Sequence, residues 1–453
     1  MKIKNTLMVL GLLLFGLALA ACSSSVATSA PVETVTGETA VDTQSVPGAP
    51  PDGGMGGPGG GSMTVDAGTG AYVLTDGEAL NGGTYTSTNA DENAIRAEGD
   101  ITASLENVTV KKTDGAASSN DASSFYGLNA AILALDNATL NIAGGEVTAT
   151  PEGANGVFAY NGATINIADT VINVSGGNAG GIEVAGGGVM TATNLTVNST
   201  VKAAIRSDRG GGTLLVNGGT YTTSGSSGAP AVYSTADITV NNATLTANAS
   251  EAIVVEGLNS VALNDCDVTG NMSGTYGDSS SENIHNVMLY QSMSGDAEVG
   301  TSSFTMTGGT LVSRNGDMFY VTNTTSIITL SNVDLTQADG TYLLLVAGNN
   351  SSRGWGTAGS NGGNVTFNLS GQEISGDVQV DSISTLEMNI ANSSSFTGSI
   401  NSDGTEASSL SVTIDATSTW TLSADSYVSA FNGSLDNVVT NGHTLYVNGN
   451  AVN

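Results

Sequence analysis

The stretch "TLLVNGGTYTTS" fills residues 213–224, and "TLNIAGGEVTAT" fills residues 139–150. Each alternates apolar and polar positions, breaks at a glycine pair, and then resumes the alternation. Period-two alternation is the pattern of a half-buried strand. Glycine pairs turn corners because they reach positive φ at little steric cost. The same phrase recurs along the chain. Its first apolar anchor falls at Leu105, Ile142, Ile167, Ala192, Val216, Val240, Leu263, Met306 and Leu330. The second lies five residues later, at Val110, Val147, Ile172, Val197, Tyr221, Leu245, Val268, Leu311 and Leu335. A third short apolar run sits between copies, as in "GVFAY", "GGIEV", "AAIRS" and "EAIVVE".

A period of about 24 residues with three short strands and a turn at every corner admits few architectures. Leucine-rich repeats have a similar period, but their leucine and asparagine ladder is missing. Propeller blades need about 40 residues or more. The pattern predicts an all-β chain, a right-handed parallel β-helix of about 12–13 coils and roughly 60 Å in length. Two anchor steps are long. They place insertions near "DGAASSNDASSFY" (114–126) and "SGTYGDSSSENIH" (273–285), where such a solenoid sends out loops. After residue 365 the pattern loosens, with Leu369, Ile390 and Ile414 continuing it.

The N-terminus reads separately. Lys2 and Lys4 precede the apolar run "TLMVLGLLLFGLALA", which is too short for a lasting membrane span. It closes in Leu19-Ala20-Ala21-Cys22, which resembles the bacterial lipobox and implies cleavage before a lipid-modified Cys22. Residues 1–21 are thus expected to be a signal peptide. Residues 22–63 form a Pro/Gly/Ser-rich tether that has too little apolar content to fold. The coils are expected over 64–410, and the final coils with a C-terminal cap over 411–453. The expected location is extracytoplasmic, lipid-anchored and exposed at the cell surface. With Cys22 lipidated, Cys266 is the one cysteine left, so no internal disulfide is available. It reads as a small, half-buried turn residue.

Ten Lys and Arg stand against 41 Asp and Glu, and the formal net charge is −31. That balance argues against nucleic acid as a partner. It suits divalent cations, basic surfaces or neutral glycans.

The pentapeptide "GGTYT" at 82–86 and 218–222, "AAIRSDRGGGT" at 203–213, "LYQSMSGDA" at 289–297 and "STWTL…NGHTLYVNG" near the end carry a family likeness. In these the chain resembles the adhesin-like right-handed parallel β-helix lipoproteins of anaerobic bacteria, which share the pectin-lyase-like fold. The resemblance implies a lipid-anchored, non-catalytic adhesin or carbohydrate-binding rod that presents its side to polysaccharide or to a host or cell-surface glycan. The fold also hosts polysaccharide lyases and glycoside hydrolases, which gives an enzymatic alternative. A structural envelope protein without a dedicated ligand is a third reading. Fold alone does not choose among them.

Chemistry must therefore be sought in side chains. No Asp-Asp pair, nucleophile elbow or metal-binding repeat occurs in the sequence, and His285 and His443 read as surface polar residues. If Ile95, Ile132, Val157, Ile182, Ile205, Val232 and Ile253 point inward, their successors point outward. These are Arg96, Leu133, Phe158, Glu183, Arg206, Tyr233 and Val254, one per coil, with an expected ion pair between Glu183 and Arg206. Phe158, Tyr160, Tyr233, Tyr290 and Tyr320 are the candidate glycan-stacking residues on this face. The competing reading is that the insertions fold over them. Asp91, Glu92, Glu98 and Asp100 are the candidate ligands for Ca2+, competing with a plain solvated-turn role.

Overall fold

The computed structural model describes residues 66–275, 283–352 and 354–452. Cys22, the signal segment and the tether lie outside the described residues. The chain winds as a right-handed parallel β-helix. A 12-stranded parallel sheet, from Thr69–Val73 to Asp377–Val380, forms the first face. A 22-stranded sheet carries the other two faces, which merge because Gly188–Ser199 and Gly212–Thr223 each run around the corner between them. A 4-stranded sheet continues the third face from Glu373–Ser375.

The anchors read from the sequence are register partners. Leu105, Ile142, Ile167, Ala192, Val216, Val240, Leu263, Met306, Leu330, Leu369, Ile390 and Ile414 stack in a single interior row. In the quoted stretch, Leu214, Val216 and Tyr221 are buried while Leu215 faces outward. Each coil thus contributes its apolar side chains to one continuous core, and a slip of one residue would empty a whole row.

The corner after each anchor needs a left-handed residue. Asn107 (φ 51°), Asp169 (52°), Asn194 (54°), Asn242 (54°) and Asp265 (51°) take it, as do Gly144 (65°) and Gly218 (69°). Glycine adopts this region freely, and Asn or Asp do so at modest cost. Asparagines at matched positions also hydrogen-bond from coil to coil. Asn264 Nδ2 donates to Asn241 (2.8 Å) and Asn241 to Asn217 (2.9 Å); Asn166 donates to Asn141 (3.0 Å). Such ladders stabilise stacked identical residues.

The insertions differ in detail from expectation. The first forms a short helix, Asn120–Tyr126, capped by the Ser119 hydroxyl accepting from Ala122 N–H and ended by left-handed Gly127. The second is two excursions. Partners Ile253 and Val287, and then Val261 and Phe304, show that extra residues fall both before and after strand His285–Tyr290. A third, over 347–363, was not expected; it carries buried Trp355. At the C-terminus, strand Leu445–Val447 turns back on Asn450–Ala451 in antiparallel fashion, covering the last edge. Trp420 fills the core beneath, 6.0 Å from Phe396.

Two single residues depart from the sequence reading. Cys266 is wholly buried rather than half-buried, with its thiol 3.3 Å from the Val240 carbonyl. His285 is no surface residue. It opens a core-facing strand, it is fully buried, and burial pushes its pKa down.

Candidate binding surfaces

The outward row of the first sheet has the expected order. Arg96, Leu133, Phe158, Glu183, Arg206, Tyr233 and Val254 stack in direct register, and Met288 and Tyr320 extend the row. The row is roofed. Phe158, Tyr233, Tyr290 and Tyr320 are all buried, and Tyr160 is half-buried, edge-on to Tyr126 of the inserted helix at 5.5 Å. Trp355 packs on Tyr290 at 4.9 Å, and His285 lies 5.4 Å from Tyr320. The five aromatics therefore make no open stacking platform. Large apolar rings on a bare sheet gain most by burial, and the excursions supply the cover.

Under that roof lies a polar network gathered from distant coils. Glu183 is 3.4 Å from Arg206, and Arg206 is 2.6 Å from Asp208. The expected ion pair is present, but it is buried rather than exposed. Arg206 also donates to Ser124 Oγ of the inserted helix at 3.0 Å. Both carboxylate oxygens of Glu183 lack a hydrogen-bond donor among the described residues. Burial raises its pKa well above the usual carboxylate range, against the pull of Arg206. Burial together with the Arg206 charge lowers half-buried Lys202 to about 8. Farther along, Glu256 accepts from Tyr233 (2.5 Å), Tyr290 (2.7 Å) and Ser292, and burial again raises its pKa. Arg209 connects the two groups. It pairs with Asp296 at 2.7 Å and lies 4.0 Å above the Phe125 ring.

The four candidate calcium ligands are not brought together as a cage. Asp91 accepts from Ser118 N–H, Glu92 from Ser87 and Asn89, Glu98 from Arg96, and Asp100 from Asn137. Among the described residues no group of three or more His, Cys, Asp or Glu lies close enough to hold a metal ion. The acids act as turn and bridge acceptors, which is the competing reading.

The open surface lies elsewhere. On the second sheet a groove of about 370 Å³ crosses four coils. The linked amides of Asn141 and Asn166 line it with Ser104, Thr191 and Thr193, while Ala143 and Ala168 leave space, and Glu106 closes one end. Sequence reasoning missed this groove. Its signal was the near-identity of "TLNIA" (139–143) and "TINIA" (164–168), which sets Asn over Asn and Ala over Ala. A second groove, of about 500 Å³, lies where Asp334–Thr336 meets Glu373–Ser375. No protein-family profile, no curated protein and no solved structure matches this chain.

Proposed function

We propose that the chain is a lipid-anchored, cell-surface, non-catalytic rod of the adhesin-like kind. It binds polysaccharide along the open groove of the second sheet. The observation that carries this reading is the row of aligned, solvent-facing amides and hydroxyls from Ser104 to Thr193. Its repeat of about 4.8 Å per coil is comparable to one sugar ring in an extended glycan. The alanines beside the amides leave room for a ring. Uncharged donors and acceptors suit a neutral glycan better than the acidic remainder of the chain would suit an anionic one.

The enzymatic alternative, a lyase or hydrolase, draws support from Glu183 and Asp208 lying across coils near Lys202, whose pKa is lowered to about 8. It is the weaker reading, because Asp208 is held by Arg206 and the cluster is roofed.

The test incubates the full-length chain, in detergent, with insoluble plant, mucin and bacterial-wall polysaccharides. Protein depletion and sugar release are both measured. Depletion without release is expected, falling at least tenfold in affinity for Ala168→Trp, which fills the groove. Sugar release would move the function to the roofed cluster. Equal depletion by wild type and A168W would refute the groove.

A further inference from the structure

The third face of the coil is interrupted at one level. Strand Asp334–Thr336 pairs only with the coil before it, through Thr310–Val312. Strand Glu373–Ser375 pairs only with the coil after it, through Ser395–Thr397. The other two faces stay paired across this level, Thr325–Ser331 on Asn364–Ser370 in regular register and Tyr342–Val346 on Asp377–Val380 with a bulge between Tyr342 and Leu344. The cause is a change in coil length. The earlier coil spends Gln337–Thr341 travelling from its third strand to the first sheet, whereas the later coil spends only Gly376. The later coil is narrower on this side, so its third strand does not land on the one before.

The consequence is two strand edges facing a common groove of about 500 Å³. In a parallel strand the N–H and C=O of one residue point the same way, and alternate residues point oppositely. Asp334 N–H donates to Gly309 O in the preceding coil, so Val333 and Leu335 point toward the groove. Ser395 N–H donates to Gln372 O, and Gly376 N–H to Thr397 O, so Glu373 and Ser375 point into it from the other side. At the inner end, the buried Gln372 side chain acts as a short surrogate strand. Its Oε1 accepts from Val333 N–H (2.9 Å), and its Nε2 donates to the carbonyls of Val333 (2.6 Å) and Glu373 (2.9 Å). Beyond its reach the backbone N–H and C=O of Leu335 and Ser375, and the N–H of Glu373, have no partner among the described residues.

We infer that this groove accepts one extended peptide segment of a partner protein as an inserted strand, paired to both edges. Edge pairing of this kind supplies affinity through the main chain and specificity through alternate side chains. The side chains along the groove define the sequence it would take. Leu335 and Ile374 face inward, calling for an apolar residue between them. Asp334 and Glu373 are exposed at the rim, calling for Lys or Arg at the alternate positions. A chain this acidic elsewhere favours the same partner. The site is separate from the glycan groove and does not depend on it.

The test uses the full-length chain in detergent and a fluorescein-labelled Lys-Val-Lys-Val-Lys peptide with blocked ends. The control is the same peptide with alternate amides N-methylated, which keeps charge and side chains but cannot pair. Saturable binding weakened at least tenfold by N-methylation, and severalfold by Glu373→Lys, is expected. Equal binding of both peptides, or no binding of either, would overturn the proposal. Amide hydrogen exchange gives a readout that needs no variant. The Leu335, Glu373 and Ser375 amides are expected to exchange far faster than that of Ile374 in the free protein, and to slow at least tenfold with peptide. Protection of these amides without peptide, or their protection by a neutral oligosaccharide and not by the peptide, would also refute it.

Discussion

Tyr221 and Tyr85 occupy the same place in two copies of "GGTYT", and the structure gives them different surroundings. Tyr85 lies in the first coil, half-buried and edge-on to Tyr72 at 5.0 Å. Tyr221 lies mid-solenoid between Val197 and Leu245, with no exposed surface. Its hydroxyl has no hydrogen-bond partner among the described residues, and burial alone raises its pKa. In the unfolded chain that hydroxyl is hydrated. Burying it unpaired costs about 1–3 kcal/mol on the scale of protein mutational data. Tyr221→Phe removes the hydroxyl and leaves the ring, so packing loss is small. The variant is expected to be more stable than wild type by about 1–3 kcal/mol. Tyr85→Phe is expected to change stability by less than about 0.5 kcal/mol. For a unit of this size each kcal/mol moves Tm by only about 1–2 °C. Urea unfolding followed by tyrosine and tryptophan fluorescence is therefore the better assay, with the midpoint shift read at constant slope. Loss of 1 kcal/mol or more in Y221F would refute the reasoning, since it would mean that a buried water or another donor satisfies the hydroxyl.

Two further outcomes follow from buried groups and tight corners elsewhere in the coils. The folded chain holds the Glu183 proton above the pH at which the unfolded chain releases it, so stability falls as pH rises from about 4.5 toward the raised folded value. Glu183→Gln is expected to flatten that slope by up to about 1.4 kcal/mol per pH unit in urea titrations, and an unchanged slope would count against the raised Glu183 pKa. Gly219 has φ +95°, and a Cβ there would sit 2.4 Å from the Leu195 carbonyl, whereas at Gly218 the nearest atom is 3.9 Å away. Gly219→Ala is thus expected to cost well over the roughly 1–2 kcal/mol of strain expected for Gly218→Ala; equal losses would contradict the corner geometry.

The strand ladder was legible because a solenoid repeats one problem. Each interior row must be apolar in every coil, so the anchors announce the register down to single residues. The same logic hid the excursions. Leu330 and Leu369 are 39 residues apart, but the pattern loosens at that point, so the long step reads as weak periodicity and the 347–363 excursion passes unnoticed. Whether a loop lies over a face or away from it is decided by long-range partners, such as Trp355 on Tyr290, that have no periodic trace. The outward aromatics were placed correctly on the face, and the direction of the loops decided their exposure. Lys112 gives another limit. It occupies a core row between Ser87 and Ala149, and its ammonium group donates to Ser87 Oγ (3.2 Å) and the Asn89 carbonyl. A charge in that row breaks the rule by which the row is recognised.

In a plain solenoid each coil touches only its neighbours, and the ends can unravel one turn at a time. Here Ser124 of the inserted helix is tied to Arg206, 82 residues on, and Phe125 lies under Arg209, which holds Asp296 a further 87 residues away. These clasps bridge turns that the sheets do not join directly. A rod pulled by its ends would shed its outer turns singly and then meet a section that yields as a block. Under shear the molecule would behave as a rope with a splice in its middle, stiffest where the helix and the 291–300 excursion lock together.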